Sequence, residues 1–275
     1  MRLGVSTSFN TKSAEIWVKE QKECGCQTVV FPLNAYDSHQ KIDEFAQAAR
    51  ENGLQIAEVG VWKNTLAGDA AERKEWIRYA IAQLELAEKI GARCCVNVAG
   101  TPHGPRWDGG YAGNFDRQTR KDIIETVRTI IDAVQPKNTK YSLEPMPWMV
   151  PTGPDDYLQL ISEVERDGFG VHLDVINMVT CPERYFHLNT FVSECFEKLG
   201  KRICSCHLKD ILLLPEYTFQ LRECACGEGV LDIPHYAALA TETDTEMPMI
   251  IEHLHSDEEY RQSFRYVTQI LQNEK

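Results

Sequence analysis

The chain has 275 residues, 43% of them apolar and 25% charged, with a formal net charge of −12, values ordinary for a globular protein that buries a sizeable core. An acidic chain with no concentrated run of Lys and Arg is a poor match for a nucleic-acid phosphate backbone. No apolar stretch reaches the roughly 20 residues needed to span a bilayer, so neither nucleic acid nor membrane is expected as a partner.

The first apolar run, residues 3–7, is expected to be a strand with no leader before it, and the chain carries ten cysteines. Cysteines at that number without a secretion signal point to a reducing cytoplasm. Further short apolar or β-branched runs follow at 28–32, 55–60, 93–98, 140–144, 170–174, 203–208 and 249–252. Helical periodicity fills the intervals. It is clearest over 72–90, where Trp76, Ala80, Leu84, Ala87 and Ile90 form one stripe, and it recurs over 122–134, 155–164 and 257–271. Gly25, Gly53, Gly91 and Gly168 read as helix stops, and Pro154 and Pro234 as helix starts.

Strand then helix, eight times over, predicts an α/β protein: one domain over residues 1–275, folded as a (β/α)₈ TIM barrel. The strands are continuously apolar, as expected when both faces are buried. An open doubly wound sheet would place a glycine-rich phosphate turn after its first strand, whereas Val5 is followed here by Ser-Thr-Ser-Phe-Asn. Cys204 and Cys206 are expected on one face of a strand as core fillers, and Cys224 and Cys226 in a loop. None of the cysteine spacings is that of a zinc ribbon.

Four consecutive strands stop on hard metal-ligand types. Glu144 closes Tyr-Ser-Leu-Glu, Asp174 closes Val-His-Leu-Asp, His207 ends Cys-Ser-Cys-His and Glu252 closes Met-Ile-Ile-Glu. A carboxylate does not stay charged beside a core without a partner. One strand-end Glu is ordinarily a cap or a lysine partner, and one His a satisfied core or loop residue. Four in successive strands, at the barrel end where active sites are built, reverse that reading. Adjacent strands lie about 4.8 Å apart, so neighbouring side chains can share one cation. Three carboxylates and an imidazole favour Mn²⁺, with Mg²⁺, Co²⁺ or Zn²⁺ as alternatives. Such an ion would leave two positions for a 1,2-hydroxycarbonyl unit. Glu144 and Glu252, on opposite sides of the ring of ligands, are expected to serve as acid and base.

At these residues the chain resembles the xylose isomerase-like superfamily of sugar isomerases and epimerases. The matching segments are Ser-Leu-Glu-Pro at Glu144, His-Leu-Asp-Val-Ile-Asn-Met at Asp174, Cys-His-Leu-Lys-Asp at His207, Gly-Glu-Gly-Val-Leu-Asp over 227–232 and Ile-Ile-Glu-His-Leu at Glu252. The resemblance implies a barrel in which Glu144, Asp174, His207 and Glu252 bind the metal and the two glutamates transfer protons. It also implies that Lys209 and Asp210 shape the mouth. Ketose 3-epimerases of this superfamily carry a histidine three residues past the aspartate, where this chain has Asn177. They also carry an arginine shortly after the strand-seven histidine, where this chain is apolar over 211–214. The endonuclease branch needs extra histidines for three metals, and Asn97 and Asn177 stand where two would serve.

Aromatic residues follow several strands: Phe9, Trp62, Trp107, Tyr111 and Trp148. Trp62, Trp107 and Trp148, with His103, Asn177 and Lys209, are the expected substrate contacts, since aromatic faces take the apolar side of a sugar or an aryl group. His172 shares the side of Asp174 one layer deeper and is assigned to structure. These residues together predict a metal-dependent isomerase or epimerase. It would act on a sugar, oxo-sugar or cyclitol, removing the proton α to a carbonyl through an enediolate. The alternative is a lyase of the same superfamily, of the inosose dehydratase or 3-oxo-glycoside-cleaving kind. A sugar-binding module without activity is disfavoured, because binding alone needs no base. A homo-oligomer is allowed.

Overall fold

A computed structural model describes residues 1–273. Its strands are β1 (Arg2–Val5), β2 (Thr28–Val30), β3 (Gln55–Gly60), β4 (Cys94–Asn97), β5 (Lys140–Leu143), β6 (Phe169–Leu173), β7 (Ile203–Leu208), β8 (Asp210–Leu213), β9 (Leu221–Cys224) and β10 (Pro248–Ile251). Eight of them form one parallel sheet in the order β1-β10-β7-β6-β5-β4-β3-β2. The two ends of that order meet where Gln27 N–H donates to the Leu3 carbonyl at 2.9 Å. Gly4 permits this approach, because a Cβ there would fall 2.2 Å from the Thr28 carbonyl oxygen. The result is the predicted TIM barrel.

The principal helices are α1 (Ala14–Cys24), α2 (His39–Glu51), α3 (Ala70–Ile90), α4 (Arg117–Val134), α5 (Pro154–Val164), α6 (Pro182–Phe186), α7 (Leu188–Leu199), α8 (Ile233–Thr243) and α9 (Asp257–Asn273). Local chemistry sets their ends. Ser13 and Asp69 accept the N–H groups of Ile16 and Glu72 to start α1 and α3, and left-handed Gly25 and Gly91 stop them. Gly168 does not stop α5. Glu165 does so at φ 52°, as Gln135 stops α4 at φ 51°. Gly168 serves packing instead, since a Cβ there would lie 2.7 Å from Ile131 Cγ2. Between barrel and helices, Trp17, Phe45, Leu84, Ile130, Tyr157 and Tyr236 are fully buried. No helix among the described residues is long and apolar enough to cross a membrane.

Two local expectations need correcting. Cys206 joins the main core, but Cys204 packs in a separate small group with Cys94 and Val96. The β6–β7 register shifts between Val171 and His172, so strict alternation fails there and the two thiols part. Residues 210–224 are also not simple coil. β8 and β9 pair antiparallel, and Cys224 closes β9. Arg222 and Glu223 leave that strand without an apolar period, which is why the sequence did not announce it.

Candidate active site

Glu144, Asp174 and Glu252 directly follow the last residues of β5, β6 and β10, and His207 is the penultimate residue of β7. These strands are consecutive in the ring, so Glu252 and Glu144 stand at the two ends of an arc. Main-chain bonds fix both ends, Glu144 N–H to the Asn97 carbonyl at 2.7 Å and Glu252 N–H to the Leu208 carbonyl at 3.2 Å. His207 Nδ1 lies 2.8 Å from Glu252 Oε2, 3.4 Å from Glu144 Oε1 and 3.9 Å from Asp174 Oδ2. One ligand-type atom from each residue lies within 4.8 Å of the others. All four are buried.

Two further side chains, expected from the sequence to contact substrate, converge on the four groups. Lys209, buried, places Nζ 2.7 Å from Asp174 Oδ2, 2.8 Å from Glu252 Oε1 and 3.2 Å from Glu223 Oε1. Asn177 donates its N–H to Asp174 Oδ1 and its Nδ2–H to Glu144 Oε1, each at 3.0 Å. Trp62, His103, Trp107 and Trp148 occupy the loops after β3, β4 and β5, and none is bonded to the four groups among the described residues. His103 N–H donates to Thr101 Oγ1 at 3.0 Å, and Trp148 Nε1–H to the Asp108 carbonyl at 2.7 Å. Trp62 folds its indole back over Gly60, at φ 50°.

Sequence reasoning missed three acidic or imidazole partners. Glu223 comes from β9 and accepts from His253 Nδ1 at 2.7 Å, and His253 Nε2 lies 3.5 Å from Glu252 Oε2. Beneath the mouth, Glu58 of β3 accepts from Ser205 Oγ and lies 3.4 Å from His207 Nε2 and 3.6 Å from His172 Nδ1. A Glu inside the apolar run Gln-Ile-Ala-Glu-Val-Gly was the available signal for Glu58. The hairpin that supplies Glu223 carried none.

Asp210 organises the rim. Its carboxylate accepts the N–H groups of Ile211, Leu231, Gly227 and Gly229 at 2.8–3.0 Å. A Cβ on Gly229 would fall 2.2 Å from Asp210 Oδ1, which accounts for the second glycine of that loop.

Charge is the dominant physical problem of the site. Burial pushes the Asp174 carboxyl up to about 7 against the pull of Lys209. Burial opposes the charged forms of His207 and Lys209 as well, but the surrounding carboxylates outweigh it and hold both protonated well above their ordinary values. Burial likewise opposes ionisation of Glu252, yet His207 and Lys209 hold it well below the usual carboxylate range. A bound cation would displace the His207 proton and keep all three carboxylates ionised, so that they would face one ammonium with two negative charges left over. A divalent cation matches that number. His207 Nδ1 and Asp174 Oδ2 are buried and, apart from their ion-pair contacts with Glu252 and Lys209, have no hydrogen-bond partner. Three hard oxygens and one imidazole nitrogen within 4.8 Å of one another, two of the four without a hydrogen-bond partner, fit a hard divalent ion.

The family model described as xylose isomerase-like TIM barrel matches residues 18–270. No curated protein matches by sequence. Among solved structures, a xylose isomerase-like TIM barrel protein from Mycobacterium smegmatis in complex with magnesium is 22% identical, with TM-score 0.69 over 94% of this chain and 89% of that one. The 3-keto-D-glucoside 4-epimerase from E. coli is 16% identical, with TM-score 0.71 over 98% and 99%. The probable 3-DHS dehydratase from Bacillus anthracis is 16% identical, with TM-score 0.72 over 98% and 99%. At these identities the structural matches speak for the fold.

Proposed function

Because the chain belongs to the xylose isomerase-like TIM barrel family, we propose that it is a divalent-metal-dependent isomerase or epimerase of a sugar, oxo-sugar or cyclitol. The observation that carries this reading is the convergence of Glu144, Asp174, His207 and Glu252 around orphaned, buried ligand atoms. These four would hold the ion, Mn²⁺ by preference and Mg²⁺, Co²⁺ or Zn²⁺ as alternatives. A cation there supplies Lewis acidity to a substrate carbonyl and so acidifies the adjacent C–H.

The chain's own groups do the rest. Glu252 and Glu144, at opposite ends of the arc, are the proposed proton carriers, one removing the proton from the substrate carbon and the other returning it. Asn177 keeps Glu144 oriented by its 3.0 Å donation. Lys209 bridges Asp174 and Glu252 and offsets their mutual repulsion. Trp62 and Trp148, 40% and 36% exposed, are the proposed sugar-facing surfaces, with His103 and Trp107 in the same loops. That all ten cysteines are free thiols supports a reducing, cytoplasmic setting.

A second reading, a lyase that expels a group β to the carbonyl, is supported by His253. Its hydrogen bond to Glu223 keeps the imidazole protonated above its ordinary range, which places a third proton carrier beside Glu252. An elimination needs such a donor for its leaving group, and an epimerisation does not.

Solvent deuterium separates the readings. Keto-sugars and cyclitol ketones are incubated in D₂O with and without Mn²⁺, and the products followed by NMR and mass. Metal-dependent deuterium at the α-carbon with an unchanged heavy-atom skeleton supports the isomerase, and loss of water or an aglycone supports the lyase. Absence of any exchange across the panel, with Mn²⁺ bound, would count against both.

A further inference from the structure

We propose that Glu58 is a positioning residue that sets His207 for metal binding, accepting its Nε2–H from below so that the Nδ1 lone pair faces the three carboxylates. The inference rests on the metal reading above and adds to it a residue from the opposite wall of the barrel. β3 and β7 are four steps apart in the eight-strand order, so Glu58 reaches across the interior to meet Ser205 and His207.

Glu58 is 1% exposed and stands in mid-strand, where an unpaired carboxylate is costly. Its partners are all on the far wall, and none is a Lys or Arg. Ser205 Oγ–H donates to Oε1, and His207 Nε2 lies 3.4 Å from Oε2. Each carboxylate oxygen thus has its own neighbour, and the hydroxyl locks the group in the orientation that presents Oε2 to the imidazole.

A neutral imidazole has one N–H and one lone pair. If the N–H points to Glu58, the lone pair must sit on Nδ1, the nitrogen that lies 2.8, 3.4 and 3.9 Å from Glu252, Glu144 and Asp174. That nitrogen is one of the orphaned buried atoms. His172 completes the mounting. Its ring packs edge-on against His207, with centroids 4.1 Å apart and planes at 81°. An outer carboxylate of this kind raises the ligand's basicity and fixes its tautomer, and its loss typically costs 10–100-fold in metal affinity.

The test uses the full chain stripped of metal, then Mn²⁺ binding by calorimetry for the parent, Glu58→Gln and Ser205→Ala. Far-UV circular dichroism confirms that each variant is folded. The parent should bind one equivalent. Glu58→Gln should bind about 10–100-fold more weakly, and Ser205→Ala should show a smaller loss in the same direction. As a readout independent of any variant, ¹⁵N-histidine NMR of the parent loaded with Mg²⁺ or Zn²⁺ should show His207 protonated at Nε2.

Equal affinity in parent and Glu58→Gln would overturn the proposal while leaving the metal site standing; protonation at Nδ1 would overturn it and also remove His207 from the ligand set. Two equivalents bound, one of them lost in Glu58→Gln, would mean that Glu58, His172 and His207 hold an ion of their own, which also overturns it. A parent that binds no divalent ion instead overturns the metal reading on which it rests.

Discussion

Lys209 Nζ stands 2.7 Å from Asp174 Oδ2 with both side chains buried, and the same ammonium reaches Glu252 at 2.8 Å. It places a buried positive charge among the acids, and burial alone would work against its protonation. Lys209→Met keeps the volume and removes the charge. Breaking a buried pair on one side costs about 3–5 kcal/mol, so the metal-free variant should unfold at markedly lower urea. Added Mn²⁺ should restore more stability to the variant than to the parent, provided binding survives, since a ligand at 100 times its Kd contributes about 2.7 kcal/mol. Urea midpoints with and without Mn²⁺ decide the matter. An unchanged midpoint in the metal-free variant would show that Lys209 does not compensate the acids.

The two ends of the arc carry the proposed proton transfers. Glu144→Gln and Glu252→Gln keep shape and size but cannot act as bases. Each should lower α-proton exchange by about 10²–10⁴-fold, the usual contribution of a positioned acid or base. Circular dichroism should show both metal-free variants folded, with the melting point of Glu252→Gln lowered, because His207 and Lys209 stabilise the Glu252 carboxylate in the ionised form. Full exchange activity in either variant would remove that residue from the mechanism.

The strand-end acids were readable because a charged residue that ends an apolar run conflicts with its surroundings unless something beyond the strand satisfies it. The barrel was readable from the repeat for a similar reason, as each run and each stripe had only one side to bury. What escaped notice depended on tertiary geometry. Glu58 sits in the middle of a strand, and only the closed ring reveals that its partners are Ser205 and His207 on the far wall. Glu223 arrives on a hairpin with no apolar period, held to the rim by the partners it meets there. Glu165 ends α5 in a left-handed turn that glycine would have signalled, while Gly168 is small only because Ile131 and Pro136 crowd it.

Acid should reach the barrel through Glu88. Its carboxylate accepts the N–H groups of Asn138 and Thr139 at 3.0 Å and the Asn138 Nδ2–H at 2.7 Å, tying α3 to the loop before β5. Burial raises its pKa, but these donors together prevail and hold it below the ordinary glutamate value. A depressed folded pKa stabilises above the unfolded value, about 4.3, and that contribution is lost as pH falls through the folded value. Glu88→Gln should therefore lower the urea midpoint at pH 7, and the gap to the parent should shrink below about pH 4. A gap that stays constant over that range would assign the effect to packing.

The loop over 227–231 should depend on Asp210 more than on any contact within itself. Ile211 and Leu231 donate to Oδ1 at 2.8 and 2.9 Å, while Gly227 and Gly229 donate to Oδ2 at 3.0 Å. Asp210→Asn retains one oxygen and turns the other position into an NH₂ group, so two main-chain donors would face a donor. Each buried group left unpaired costs about 1–3 kcal/mol, and the strain concentrates at Gly227 and Gly229. Hydrogen exchange at those two amides should accelerate strongly in the variant while the amides of β6 stay protected. Because β8 begins at Asp210, directly after Lys209, loosening should also reach the Lys209–Glu252 contact and lower turnover. If exchange at Gly227 and Gly229 matches the parent, the rim is held by something other than the Asp210 carboxylate.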